Sequence, residues 1–174
     1  MRVWTLGHSN RGWEEFRALL RSQRIEQVAD VRRFAGSRKH PWFGKDELPR
    51  RLAEAGVGYA RIEELGGRRK PDPASRNTVW RNPAFRAYAD HMGSDEYRRG
   101  RARLLHAAAR GRTAILCSEA VWWRCHRSMI ADDLKAAGVC VLHIMSPTKV
   151  VEHPYTAAAH VVEGRLEYGP ARRG

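Results

Sequence analysis

The chain has 174 residues, enough for one domain with a sizeable core and too few for two comfortable ones. With 43% hydrophobic and 29% charged residues it is ordinary for a globular protein, and no apolar run approaches the ~20 residues of a transmembrane helix. A net charge of +13 makes it a basic protein, which reads equally as a surface for polyanions or as an arginine-rich composition, and three cysteines without regular spacing argue against a disulfide scaffold.

Met1-Arg2-Val3-Trp4 leads into a strand rather than a signal peptide, so the expected location is cytoplasmic. Val3–Leu6 is a first short strand, followed at once by Gly7-His8-Ser9-Asn10. Trp13, Phe16 and Leu20 lie at i, i+3 and i+7 and predict an amphipathic helix, with Glu14 and Glu15 where the helix dipole favours them. Ser9 and Asn10 are good helix caps, and His8, beside a cap at a strand's carboxyl end, can also face a crevice. Ile25–Val31 is the second strand. Asp30 falls inside its apolar run, so it either pairs with an arginine (Arg32 or Arg127) or lines that crevice.

The loop 33–44 interleaves bases with Phe34, Trp42 and Phe43, a pattern shared by single-stranded nucleic-acid surfaces and, more commonly, by loops packed over a core edge. Asp46 is expected to cap a helix through Ala55, ended by Gly56; Val57–Ile62 is a third strand. Gly66 and Gly67 permit a tight turn or a close backbone approach to a ligand. Residues 68–81 form a long irregular segment, of the kind that is a lid, a binding loop or disordered. Asn82-Pro83 reads as cap and first residue of a helix lined by Phe85, Tyr88 and Met92. Ser94 begins another, with Tyr97, Leu104, Leu105 and Ala108 inward.

Thr113–Cys117 is a buried strand, Ser118–Arg124 a loop, and Cys125-His126-Arg127-Ser128 opens a helix that Gly138 ends. Val139–Ile144 is the fifth strand, with Cys140 in mid-strand as core. An irregular tail follows from Ser146, containing a hairpin of His160–Val162 and Arg165–Tyr168 about Glu163-Gly164, and the last residues (PARRG) should fray. The expected architecture is α/β: a mainly parallel open sheet of about five strands with helices on both faces, a Rossmann-like or rhodanese-like three-layer arrangement with a small C-terminal hairpin. It forms a single domain over residues 1–174, with a core of 1–146 and a tail of 147–174.

Cys117, Glu119, Cys125, His126 and Arg127 crowd a strand's carboxyl end and a helix's amino end, where open α/β sheets bind ligands. A thiolate is stabilised by such a helix end or by a neighbouring cation. These five are the candidate catalytic residues: Cys117 or Cys125 attacks, Arg127 and helix amides hold an anion, and His126 or Glu119 moves protons. His8, Ser9, Asn10, Asp30, Arg32, Gly66 and Gly67 are the candidate substrate-binding residues. Two other readings stay open. The cysteines and His8 include soft ligands, but Cys-x7-Cys-His is not a recognised zinc spacing, and no metal or other cofactor is assigned. The thiols can also be small buried hydrophobes, with Arg127 paired to Glu119 or Asp30. The expected partner is a small anionic or phosphorylated substrate, with nucleic acid bound or processed by the basic loops as the alternative, and no membrane.

Gly7-His8-Ser9-Asn10 after a strand, Asp30-Val31-Arg32, Leu65-Gly66-Gly67 and above all Cys117-x-Glu119-x5-Cys125-His126-Arg127 resemble the bacterial and archaeal domain of unknown function 488 family. The resemblance extends to about Ser146 and implies an α/β fold with no settled activity. Members usually carry a proline and serine after the Asp-Val-Arg; here Ala35 and Gly36 fall where the proline is expected, and only Ser37 matches. More distantly, Asp30-Val31-Arg32, Cys117, Arg127-Ser128 and Gly138 follow the order of a rhodanese. Rhodaneses, however, separate their cysteine and arginine by fewer residues than the ten here, which weakens any inference of sulfur transfer.

Overall fold

A six-stranded sheet runs through the centre of the computed structural model, which describes residues 1–36 and 38–169. Strands β1 (Arg2–Gly7), β2 (Gln27–Asp30), β3 (Gly58–Arg61), β4 (Thr113–Cys117) and β5 (Cys140–Ser146) run parallel, and β6 (Lys149–Glu152) lies antiparallel to β5. Their order across the sheet is β3-β2-β4-β1-β5-β6. The helices are α1 (Trp13–Ser22), α2 (Glu47–Glu54), α3 (Pro83–Met92), α4 (Asp95–Arg110) and α5 (Arg127–Ala136).

Alternation along the central strands divides the core into two layers. Trp4, Leu6, Ala114 and Leu116 pack with Phe16, Leu19 and Leu20 of α1 and Leu48 and Leu52 of α2. Val3, Ile115 and Cys117 face the other way, toward Tyr88 of α3, Leu104 of α4 and Met129 and Leu134 of α5. The chain therefore leaves β1 toward one face and β4 toward the other. Because these two strands are neighbours, their carboxyl ends flank a topological switch point, where a crevice opens.

Several local expectations hold for the stated reasons. Asn82 accepts the Ala84 amide at 2.8 Å and Ser94 accepts that of Tyr97 at 3.1 Å, capping α3 and α4. Gly138 takes φ 83° after α5. The hairpin of β7 (Ala159–Val162) and β8 (Arg165–Tyr168) turns on Glu163 and Gly164, both at positive φ as a two-residue turn of this type demands.

Others need correction. The tail begins with β6, a short edge strand whose valines are half-buried between Lys149 and Glu152, too brief a pattern to register in sequence. Asp46 lies in the helical region and makes no side-chain cap; Gly44 supplies the carbonyl for the Leu48 amide instead. Gly12, not Ser9 or Asn10, stands at the amino end of α1. Cys140 opens β5 and is half-buried rather than core. Ser37 and the PARRG terminus lie outside the described residues.

A buried polar chain ties the C-terminal elements to the sheet. Asp132 of α5 accepts His153 Nε2–H at 2.9 Å, His153 Nδ1 accepts His143 Nε2–H at 2.9 Å, and His143 Nδ1 accepts the Thr5 hydroxyl at 2.6 Å. The links form one continuous run of donors and acceptors from Thr5 to Asp132. Tyr168 and Thr156 donate to the remaining Asp132 oxygen, at 2.9 and 2.6 Å, which anchors β8.

Candidate active site

The loop that leaves β4 is held against the one that leaves β1. The His8 amide donates to the Cys117 carbonyl at 3.0 Å and the Ser9 amide to that of Ser118 at 2.9 Å. Cys117 ends β4, and Cys125 stands two residues before α5, where its Sγ accepts the Arg127 amide at 3.5 Å. The two sulfurs come within 2.8 Å. Arg127, the largest fully buried side chain, reaches back under the loop. Its Nη1 donates to Cys117 Sγ at 2.6 Å and to the Glu119 carbonyl, and its Nη2 to the Ala120 carbonyl at 2.9 Å. Its partners are therefore main-chain oxygens and a thiol, rather than the carboxylate of Glu119 or Asp30.

This arrangement separates the two thiols electrostatically. Burial alone would push Cys117 up, but the Cys125 S–H hydrogen bond and the Arg127 charge outweigh it and hold the thiol below its ordinary range. Cys125 moves the other way, because it gives its hydrogen bond to the Cys117 sulfur and is itself buried. Of the two, Cys117 is therefore the thiol that loses its proton first, and Cys125 the one that keeps it.

Asp30 is fully buried and paired with Arg32 through two contacts, Nε–Oδ1 at 2.8 Å and Nη2–Oδ2 at 2.7 Å, with the Tyr59 hydroxyl at 2.7 Å. Arg32 Nη1 also donates to the Phe43 carbonyl at 2.7 Å and meets His8 Nε2 at 3.3 Å. The His8 ring, stacked on Phe43, donates from Nδ1 to the Ser9 carbonyl at 2.9 Å, which leaves Nε2 free to accept. Burial lowers its pKa to about 4, so it is neutral at pH 7.

A cavity of about 430 Å³ opens over the thiols. Of the residues expected in a site, Ser9, Arg32, Gly67, Cys117, Glu119, Cys125 and His126 line it. Arg127, His8 and Asp30 support it from behind; Asn10 and Gly66 are not in its wall. Gly67 is small for a reason: a Cβ there would meet His126 Nδ1 at 2.9 Å. Arg33, Phe34, Arg68, Tyr88 and Arg124 are also in the lining, and none was singled out from sequence as a site residue. The basic and aromatic loop 33–44 contained the signal for Arg33 and Phe34. Tyr88 read only as a helix's inner face, yet its ring lies 4.9 Å from that of His126.

The sequence matches the family described as Domain of unknown function DUF488 over residues 12–134. The chain belongs to this family. No curated protein and no solved structure matches it. The DUF488 match takes in Asp30, Arg32, the glycine pair, both loop thiols and Arg127, and stops within α5. The β1 loop that closes the DUF488 crevice, and β5 to β8, lie outside it. Among the described residues, no group of three or more His, Cys, Asp or Glu is arranged to hold a metal ion.

The buried histidines make the stability of this DUF488 protein depend on pH. Burial lowers His8 to about 4 and His143 to about 3, the latter helped by His153; burial also lowers His126 to about 4. An unfolded histidine titrates near ~6.5, so below that pH the unfolded chain takes up protons that the native one refuses. Stability from these rings is complete above pH ~6.5 and is lost as pH falls toward ~4, by at most on the order of 3 kcal/mol each for His8 and His143. Urea midpoints should fall steeply between pH 6.5 and 4.5, and His143→Gln should flatten the slope. An unchanged midpoint across that interval would contradict neutral burial.

Proposed function

We propose that this DUF488 protein is a thiol-dependent enzyme in which the Cys117 thiolate attacks an electrophilic centre of a small anionic or phosphorylated substrate. The observation that carries this reading is the 2.6 Å contact from the buried Arg127 guanidinium to Cys117 Sγ. A buried cation needs an anion, and the thiolate is the only full negative charge among the partners of Arg127. Cys125 keeps its proton next to the nucleophile. His126, neutral at pH 7, stands with Nδ1 3.6 Å from Cys125 Sγ and positions that thiol. Glu119 offers an exposed carboxylate at the cavity wall as an acid or base. Arg32, Arg68 and Arg124 favour an anion in the cavity, and Arg127 positions and charges the nucleophile without reaching the substrate.

The test is alkylation followed across pH, with peptide mapping. Cys117 should react well below the ~8.5 of an ordinary thiol. A Cys117 profile that coincides with that of an ordinary thiol, or a Cys117 that never labels, would exclude the thiolate nucleophile.

A second reading, single-stranded nucleic acid as the anionic partner, is favoured by Phe34. Its ring is 62% exposed at the cavity mouth, with the Arg33 and Arg68 guanidiniums 6.0 and 5.6 Å from its centroid. A base stacked there contributes ~1–3 kcal/mol, so Phe34→Ala should weaken a short oligonucleotide roughly 5- to 100-fold at fixed salt. Affinity that depends on salt but not on Phe34 would reduce the binding to charge attraction.

A further inference from the structure

We propose that Cys117 and Cys125 form a reversible dithiol–disulfide couple that reacts with peroxides, giving the site a redox chemistry besides its attack on an anionic substrate. The inference shares with the proposed function only the Cys117 thiolate. Three features of the fold carry it. The sulfurs lie 2.8 Å apart although they belong to a strand end and a helix start, so no rearrangement of the sheet is needed to join them. Both line the same 430 Å³ cavity, which admits a molecule as small as hydrogen peroxide to two otherwise buried thiols. Their environments are unequal in the sense such a couple needs: Arg127 charges Cys117, and Cys125 keeps the proton.

The steps balance without another reactant. The Cys117 thiolate attacks one peroxide oxygen; an S–O bond forms, the O–O bond breaks, and hydroxide leaves. That hydroxide takes the Cys125 proton and departs as water. The Cys125 thiolate then attacks the Cys117 sulfenic sulfur, the S–S bond forms and the S–O bond breaks, releasing a second hydroxide. Two thiols are oxidised and one peroxide is reduced. In the disulfide form Cys117 carries no charge, Arg127 loses its anionic partner, and the nucleophile is withdrawn until a dithiol reductant restores it.

Trypsin can cut after Arg124, between the two cysteines, so the couple is directly readable. Native protein treated with one equivalent of hydrogen peroxide, blocked with iodoacetamide and digested should yield the 113–124 and 125–127 peptides joined by a disulfide. Two of the three free thiols should be lost, Cys140 should remain alkylated, and dithiothreitol should reverse the change. In Cys125→Ser, the Cys117 sulfenic acid should persist, trappable by dimedone, and pass on to sulfinic acid. Cys117→Ser should leave Cys125 unreactive. If native Cys117 alkylates as a thiolate but peroxide takes it to sulfinic acid with Cys125 still free, the couple is wrong and the proposed function stands. If Cys117 neither alkylates at low pH nor oxidises, both readings fall together.

Discussion

Replacing Arg127 by alanine should move Cys117 alkylation up in pH toward the ~8.5 of an ordinary thiol and destabilise the protein by on the order of 3–5 kcal/mol. The side chain is 1% exposed and serves three acceptors at once. Without it the Glu119 and Ala120 carbonyls lose their donor, and the thiolate beneath them loses its countercharge. A cavity the size of an arginine adds to the loss. Burial, which by itself pushes the thiol up, then acts unopposed except by Cys125, so Cys117 takes a proton. Arg127→Lys separates charge from shape. A single ammonium cannot span a sulfur and two carbonyls in a fixed fork, so lysine should restore part of the low-pH reactivity and little of the stability. Alkylation rates against pH and urea unfolding of both variants supply the measurements. Lost stability with an unchanged Cys117 profile would make Arg127 a structural brace only.

The parts of this site that could be read from sequence are those in which local pattern and chemistry coincide. Thr113–Cys117 has a central strand's unbroken apolar run, and Cys125 to Ser128 followed by Met129, Ile130 and Leu134 has a helix's period, so the meeting of thiols and arginine at one crevice followed from order alone. Asp30 in an apolar run pointed either to an arginine partner or to the crevice, and Arg32, two residues away, is its partner. What sequence left open was partnership across the fold. Whether Arg127 faced a carboxylate or a thiol depends on how the 118–124 loop turns, and the answer lies in two carbonyl oxygens that carry no side-chain signature. The chain from Thr5 through His143 and His153 to Asp132 joins residues up to 138 positions apart. Nothing in the local sequence around any of them marks it as part of a chain. β6 escaped for a different reason: an edge strand with one covered face needs little hydrophobic pattern.

Gly7 is the residue whose importance least resembles its appearance, and Gly7→Ala should abolish the Cys117 reactivity although it adds only a methyl group. Gly7 lies in extended backbone at the end of β1, beside Cys117 in the parallel register, so no left-handed conformation demands glycine there. The demand comes from contact. A Cβ at this position would stand 1.7 Å from the Glu119 carbonyl oxygen, 2.5 Å from its carbon and 2.9 Å from Arg127 Nη1. Two of those atoms are backbone, and the oxygen is the one that accepts from Arg127. The methyl group can be accommodated only if the 118–120 loop lifts away, and that motion undoes the contacts that keep the guanidinium against Cys117. Overpacking a rigid site costs ~1–3 kcal/mol and occasionally more, and an obstruction made of backbone belongs at the upper end. Gly12 supplies the control: nothing lies within 4 Å of its Cβ position, so Gly12→Ala should cost no more than ~1 kcal/mol at a helix start and leave the thiol profile intact. The two variants compared by urea unfolding and by Cys117 alkylation against pH should differ in both measurements. If Gly7→Ala matched Gly12→Ala in each, the close packing of β1 against the Glu119 carbonyl would be refuted, and with it the account of how the loop holds Arg127 over the thiol.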